Sequence, residues 1–204
     1  MDAVVVGAGA WGLPAAAELA RRGHRVTLVD RFGPANALSS SPGPTRIWRL
    51  AHPDPVRVRL GLRSIDAMQR LADRSGRQVF LRRGLLWRDD DTVGAVGAAL
   101  AGEGVSHELV DARDVGRFLP GLRADGRDAV WQPDAGPVLA AVSLAAQLDL
   151  FHAHGGTLQV GLAVREVHTT ASGVRVLGDD GALVDADVAV LEPGPGAAPL
   201  LAGL

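Results

Sequence analysis

Near its N-terminus the chain reads Asp2-Ala-Val-Val-Val-Gly-Ala-Gly-Ala-Trp-Gly12, and this stretch decides the fold. Its β-branched run ends in glycine, which is typical of a buried parallel strand that turns sharply into the next element. Helix-forming residues follow over 10–22, and Gly23 predicts the end of that helix. The run 25–30 predicts a second strand, so strand, helix and strand follow one another within about 30 residues. This order predicts a βαβ unit.

The glycines of this stretch form a G-x-G-x-x-G pattern, which is a weak signal by itself. Here it follows a predicted strand, opens a helix and precedes an acidic residue, Asp30, at the end of the second strand. Gly7 permits a tight turn, Gly9 lets a pyrophosphate approach the backbone, and Gly12 lets helix and strand pack closely. The helix N-terminus offers free N–H groups to phosphates, and Asp30 would accept hydrogen bonds from a ribose. Because an acid there would repel the extra phosphate of NADP, the pattern predicts a site for FAD or NAD.

The composition excludes several kinds of chemistry. The chain has 204 residues and a net charge of -2, so we expect no binding to nucleic acid or to a membrane surface. It has no cysteine, which excludes disulfides and thiolate nucleophiles, and no lysine, which excludes Schiff-base catalysis. The histidines show no metal-binding spacing, so we expect no metal site. No apolar run could span a bilayer and the N-terminus lacks a positive targeting region, so we expect a cytoplasmic protein.

Beyond residue 30, hydrophobic periodicity and turn residues predict a mixture of helices and strands. The predicted helices cover 54–74, 92–101, 110–119 and 136–154. The predicted strands cover 78–87, 129–133, 157–160, 164–168, 174–177 and 183–191. Together with the N-terminal βαβ unit, these elements predict an α/β fold.

Three places in the sequence resemble FAD-dependent amine oxidoreductases of the D-amino-acid oxidase superfamily, most closely the sarcosine oxidase and N-methyltryptophan oxidase group. The first is 4–12, VVVGAGAWG, together with VDR at 29–31. The second is 40–49, SSPGPTRIWR, which is similar to the family segment that runs under the flavin ring. The third is 130–136, VWQPDAG, which resembles the family's E-P-x-x-G turn before a helix. The likeness spans nearly the whole chain but only the N-terminal half of a family member.

The resemblance implies an FAD-dependent oxidoreductase that oxidises the C–N bond of a small-molecule amine or amino acid, with hydride transfer to the flavin. At the matching positions Arg46 would stabilise the reduced flavin and Arg49 would face the substrate carboxylate, so these two are the candidate catalytic residues. The candidate cofactor-binding residues match the family's pyrophosphate, adenosine, ribityl and adenine contacts: Gly7, Gly9, Ala10, Trp11, Gly12, Asp30, Arg31, Ser40, Thr45, Arg46 and Val164.

The resemblance also implies a domain arrangement. A Rossmann-type FAD-binding domain would comprise 1–78 and 137–204, with an interleaved, truncated α+β substrate domain at 79–136. The half that family members add would supply most of the substrate pocket. We therefore expect either a homo-oligomer or a partner chain that supplies this half.

Two alternatives stay open. Family members carry a small, glycine-rich segment against the FAD near position 192, where this chain has Glu192-Pro-Gly-Pro. A carboxylate there would repel the pyrophosphate, and each proline removes a backbone donor. This favours a catalytically incomplete FAD-binding half-protein or scaffold that needs a partner chain. The other alternative is an NAD-dependent reductase, against which the segment 45–47 and the insertion after Pro53 argue.

Overall fold

The computed structural model describes residues 1–40, 43–89 and 91–202. In chain order the strands are β1 Asp2–Val6, β2 Arg25–Asp30, β3 Thr45–Trp48, β4 Leu85–Trp87, β5 Glu108–Val110, β6 Ala129–Gln132, β7 Gly136–Leu139, β8 Thr157–Val160, β9 Val164–Thr170, β10 Gly173–Gly178, β11 Leu183–Ala186 and β12 Val188–Leu191. The α-helices are α1 Gly12–Arg21, α2 Pro55–Ser75, α3 Val93–Gly102, α4 Ala140–Ala153 and α5 Ala197–Leu201, and short 3-10 helices cover Ala112–Arg117 and Gly194–Gly196.

The chain folds into two compact units. The first unit comprises Met1–Pro44, Arg74–Arg77 and Ala140–Leu204, and the second comprises Thr45–Asp73 and Gln78–Leu139. The expected boundaries place 45–73, 78 and 137–139 with the first domain, whereas the structure groups these residues with the second unit. The physical reason is a shared core, since Leu50 and Val58 are buried together with Leu100 of α3 and Val130 of β6.

The first unit is built on a parallel sheet with the strand order β12-β1-β2-β8. Helices α1 and α4 cover one face, where Val5, Leu13, Leu28 and Phe151 are fully buried. Gly156, just after α4, lets the chain pass the Phe151 ring, because a Cβ at Gly156 would lie 2.1 Å from a ring carbon. The predicted βαβ unit is therefore present, and its helix packs on its own strands.

The other face of this sheet is covered by an antiparallel sheet with the order β11-β10-β9. Val4, Val6 and Val29 of the parallel sheet share a core there with Val167 and Val176. Successive residues of β1 thus point into two different cores, which explains why its sequence is an unbroken apolar run. The predicted α/β fold is confirmed in this unit.

The second unit contains a three-stranded antiparallel sheet, β4-β6-β5, and a two-stranded ribbon of β3 and β7. Helix α3 packs on β6, and its Val96, Ala99 and Leu100 complete the buried core. Trp48 is fixed at the edge of this core, because its indole Nε1 donates to Ser64 Oγ at 2.7 Å. Thus the second unit has an apolar core of its own.

Several element predictions were wrong in part. The predicted helix 136–154 begins only at Ala140, because 136–139 pair with β3 as strand β7. The carbonyl oxygen of Pro137 also accepts from Leu81 N at 3.0 Å, so tertiary pairing overrides the helical composition of this run. The helix predicted at 110–119 is a 3-10 turn preceded by a strand, and the strand predicted at 183–191 divides between two sheets.

Candidate functional site

A cavity of about 640 Å³ lies in the first unit, at the carboxyl ends of β1, β2 and β12. This edge of an open parallel sheet is where α/β proteins bind their ligands. The volume lies within the range of small-molecule sites. The described wall is formed by Leu144, Leu200 and the segments 6–11, 29–32, 35–36, 38–40, 162–164 and 192–196.

The glycines of the N-terminal pattern have different surroundings. Gly7 has a φ of 101°, and a Cβ there would lie 2.1 Å from the carbonyl oxygen of Glu192. A Cβ at Gly12 would lie 1.9 Å from the carbonyl oxygen of Gly7. At Gly9, by contrast, an added Cβ meets no atom of the described residues within 4 Å, although Gly9 lines the cavity. The fold therefore requires Gly7 and Gly12, whereas Gly9 leaves open space at the cavity wall.

Helix α1 begins beside this open space. Its N-cap residue is Trp11, whose side chain makes no capping hydrogen bond, and its first turn, 12–15, contains no acidic residue. In this turn Leu13 N donates to the carbonyl oxygen of Gly9 and Ala15 N to that of Trp11, both at 3.2 Å, and Pro14 has no N–H. The positive end of the helix dipole therefore lies at the loop 9–12. Ala10 and Trp11 line the cavity, and Trp11 is 79% exposed. The cavity thus receives the electropositive end of α1, an arrangement that favours phosphate groups.

Asp30 links the end of β2 to the glycine loop. One carboxylate oxygen accepts from Ala8 N at 2.8 Å, and the other accepts from Phe32 N at 2.8 Å and Gly33 N at 2.6 Å. Sequence reasoning assigned Asp30 to a ribose and missed these backbone contacts. A carboxylate has about four acceptor positions, so three backbone bonds leave room for a hydroxyl. Asp30 therefore holds the loop in place while it lines the cavity.

The other candidate residues of the first unit lie in the same wall. Arg31 follows Asp30, and its guanidinium carbon lies 5.0 Å from the centre of the Phe32 ring. Ser40 lies in the loop after β2, and Val164 opens β9. Ser41 and Pro42, which follow Ser40 in the segment 40–49, lie outside the described residues. The structure thus brings Arg31, Ser40 and Val164 to one cavity with the glycine loop.

Thr45, Arg46 and Arg49 belong to the second unit. Thr45 and Arg46 are exposed on β3, and Arg46 Nη1 donates to the carbonyl oxygen of Thr45 at 2.6 Å. Arg49 follows β3, and its guanidinium carbon lies 4.0 Å from the centre of the Trp87 ring. A guanidinium over an indole is a cation–π contact that holds the side chain flat. Arg49 therefore has a fixed support that the sequence did not reveal.

Gln132 is a buried residue of the second unit that sequence reasoning did not single out. Its Oε1 accepts from Leu50 N at 2.8 Å and from Ala51 N at 3.1 Å, directly after Arg49. Its Nε2 has no hydrogen-bond partner among the described residues. The segment VWQPDAG carried the available signal, because Gln132 stands where the resembling turn has glutamate. Gln132 fixes the backbone that carries Arg49.

His52 directly follows Leu50 and Ala51, the two residues whose backbone N–H groups bind Gln132. Burial lowers the pKa of His52 below its usual 6.5, and the positive charges of Arg49 and Arg57 lower it further, against the opposing charge of Asp54. The surroundings of His52 thus favour the neutral imidazole. A protonated His52 would place a second positive charge near Arg49, and the two charges would repel each other.

Comparisons with known proteins show the family of the chain. Residues 2–204 match the family model described as FAD dependent oxidoreductase. The chain belongs to this family. It is 31% identical over 180 residues to a monomeric sarcosine oxidase of Streptomyces avermitilis and 26% identical over 171 residues to the human peroxisomal sarcosine oxidase. Among solved structures it is similar to NikD, described as an unusual amino acid oxidase essential for nikkomycin biosynthesis, with a TM-score of 0.89 and 33% identity. Members of this family depend on FAD.

The chain spans about half the length of these relatives. The match covers 86% of this chain but 47% of the Streptomyces protein, and 82% of this chain but 44% of the human protein. For NikD the shares are 98% of this chain and 53% of that one. The resemblance to the N-terminal half of a sarcosine oxidase is therefore confirmed.

Within 1–40, 43–89 and 91–202, no group of three or more histidine or acidic side chains has the arrangement of a metal site. No helix in this part of the chain combines the length and apolarity needed to cross a membrane.

Proposed function

We propose that the first unit binds FAD in its cavity and that the chain supplies this unit to an FAD-dependent oxidoreductase acting on the C–N bond of an amine or amino acid. The observation that carries the proposal is Gly9. It lies beside the N-terminus of α1, lines the cavity and has open space where a side chain would be. A pyrophosphate needs this combination of a bare backbone and free N–H donors.

The cavity residues fit most of this cofactor. The N–H groups of the loop 9–12 would hold the pyrophosphate, and Gly7 and Gly12 give the loop its shape. Asp30 and Arg31 would hold the adenosine, with Val164 beside the adenine and Ser40 along the ribityl chain. The wall segment at Glu192 fits less well, because its side chain carries a negative charge. Bound FAD supplies the hydride acceptor, a chemistry that amino-acid side chains lack.

The second unit would serve as the substrate domain. Arg49 would bind the carboxylate of an amino-acid substrate, since a guanidinium held flat on Trp87 can offer two parallel N–H donors. The resemblance of 40–49 to the family's flavin segment assigns Thr45 and Arg46 to the flavin, where Arg46 would stabilise negative charge on the reduced ring. Gln132 would position Arg49 through its bonds to the next two backbone N–H groups.

Flavin binding can be tested with a glycine pair. The purified chain should quench the fluorescence of added FAD and show a bound-flavin spectrum. Gly9→Val should weaken FAD affinity more than tenfold, because its side chain fills the approach path without meeting other described atoms. Gly94→Val is the matched control, since a Cβ at Gly94 also meets nothing within 4 Å among the described residues, away from the cavity. Equal FAD affinity of both variants, or no FAD binding by the wild-type chain, would refute the proposal.

Amine oxidation is tested in the FAD-loaded chain. An anaerobic panel of secondary and primary amines, with and without a carboxylate, should contain a compound that removes the visible flavin absorption. Arg49→Met should raise the KM for carboxylate-bearing amines and leave FAD affinity unchanged. If the KM for carboxylate-bearing amines were the same in Arg49→Met and in the wild-type chain, the proposed role of Arg49 would be contradicted.

A second candidate function is an FAD-binding half-protein that turns over only with a partner. The observation in its favour is Glu192, whose side chain places a negative charge in the cavity wall. This candidate expects FAD binding without reduction by any amine, and a homo-oligomer or hetero-complex in sedimentation velocity. A monodisperse monomer that oxidises amines would refute it. NAD binding in competition with FAD would instead favour a reductase.

A further inference from the structure

Glu192 lies at the point where three features of the first unit meet. It follows β12, and its N–H donates to the carbonyl oxygen of Val6 at 2.8 Å, which ties it to the end of β1. Its Cβ lies 3.2 Å from the position that a Cβ at Gly12 would take. The side chain is partly exposed and lines the same cavity as Gly9. The side chain of Glu192 therefore leaves the cavity wall beside the N-terminus of α1.

The charged groups of the cavity wall do not compensate this carboxylate. Among the described residues of the wall, the charged side chains are Asp30, Arg31 and Glu192, so negative charges outnumber positive ones. Asp30 is engaged by backbone N–H groups, and Arg31 lies over its neighbour Phe32. Among the ion pairs of the described residues, none includes Glu192. A pyrophosphate with two negative charges would enter a wall whose own balance is already negative.

The same carboxylate suits the protein without a ligand. A negative group near the first turn of a helix interacts favourably with the N–H groups there. Glu192 can provide this interaction at α1, because its Cβ lies against Gly12 and the N-cap Trp11 supplies no side-chain acceptor. Glu192 and a pyrophosphate would thus compete for one electropositive helix end.

We infer that Glu192 is an internal competitor of the dinucleotide, so that it stabilises the FAD-free chain and weakens FAD binding at neutral pH. This inference rests on the proposed FAD site and specifies how that site is tuned. Removing the charge should raise FAD affinity about tenfold, which corresponds to about 1.4 kcal/mol. The same change should lower the thermal midpoint of the FAD-free chain by about 1–3 °C. The two effects have opposite signs, which a merely structural role of Glu192 would not produce.

The test measures FAD affinity by flavin fluorescence in the wild-type chain, Glu192→Gln and Glu192→Met. Glutamine keeps the size of the side chain and methionine removes its hydrogen-bonding groups, so both should bind FAD about tenfold more tightly. The matched control is Glu166→Gln, which removes one negative charge from β9 outside the cavity wall and should leave FAD affinity unchanged. The advantage of the Glu192 variants should shrink as ionic strength rises from about 0.02 M to about 0.5 M, because salt screens the repulsion.

The outcomes separate this inference from the proposed function. Equal FAD affinity in all four proteins would overturn the inference and leave the FAD site standing. Tighter binding by Glu192→Gln alone would also overturn it, because the gain would then come from the amide and not from the lost charge. If neither the wild-type chain nor any variant binds FAD, the inference and the proposed function fail together.

Discussion

Replacing Asp30 by alanine should destabilise the FAD-free chain, because the carboxylate holds the glycine loop to the end of β2. It accepts hydrogen bonds from three backbone N–H groups, those of Ala8, Phe32 and Gly33. Without the carboxylate, Ala8 N loses its acceptor in a buried part of the loop, because Ala8 is only 1% exposed. The structural role of Asp30 is therefore testable without any ligand.

The size of the effect follows from the exposure of each donor. A hydrogen bond to a charged group contributes about 1.5–3 kcal/mol, and less where water can replace it. Two of the bonds, to Ala8 and Gly33, are partly buried, and the one to Phe32 is exposed. We therefore expect Asp30→Ala to lower the free energy of unfolding by about 2–4 kcal/mol. Asp30→Asn keeps one acceptor oxygen and should lose about half of that amount.

Urea unfolding of the FAD-free protein, followed by circular dichroism, measures this difference. Asp180→Ala is the matched control, because that carboxylate accepts from the single exposed N–H of Ala182 at 2.9 Å. The control should lose less than about 1 kcal/mol. If Asp30→Ala were no less stable than Asp180→Ala, the carboxylate would not hold the loop, and its role would be confined to the ligand.

Three further changes test the loop and the second unit. Gly12→Ala should lower the free energy of unfolding by about 2–4 kcal/mol, because its Cβ would lie 1.9 Å from the Gly7 carbonyl oxygen; unchanged urea unfolding would contradict this. Gln132→Met should cost about 2–4 kcal/mol by leaving two buried backbone N–H groups without an acceptor, whereas Gln132→Glu, which keeps acceptor oxygens, should cost less in thermal unfolding. The pKa of His52 is lowered by burial and then by Arg49, so the folded chain binds this proton less tightly than the unfolded chain does. Its contribution to stability is therefore complete above about pH 6.5 and is lost as the pH falls below it, and His52→Gln should flatten that part of the profile.

The N-terminal unit could be predicted from sequence because its signals are local. The run 2–6 is apolar at every position, since β1 is buried on both faces, and the glycine pattern places a turn between strand and helix. The bounds of β2 were predicted correctly, as Arg25–Asp30, because Gly23 and the loop after residue 30 limit the strand on both sides. Such elements depend on neighbours in the chain, and their patterns can be read directly.

Elements that depend on distant partners were harder to predict. The residues 136–139 resemble the start of the following helix in composition, and only pairing with β3, some ninety residues earlier, makes them a strand. The role of Gln132 has the same origin, because the N–H groups that it binds lie at Leu50 and Ala51. Tertiary contacts override local preference at both places.

The cavity depends both on a local sequence pattern and on a tertiary contact. The loop 7–12 is a local pattern, and a glycine turn that joins a parallel strand to a helix, with an acid at the end of the next strand, predicts phosphate binding. The charge that the phosphate would meet is set by Glu192, which reaches the loop only because β12 pairs with β1 in parallel register, Val6 beside Leu191. A motif match therefore predicts what kind of group can bind, while the residue after the neighbouring strand governs how tightly it binds. The opposite effects expected for Glu192→Gln on FAD affinity and on the stability of the FAD-free chain measure that second contribution directly.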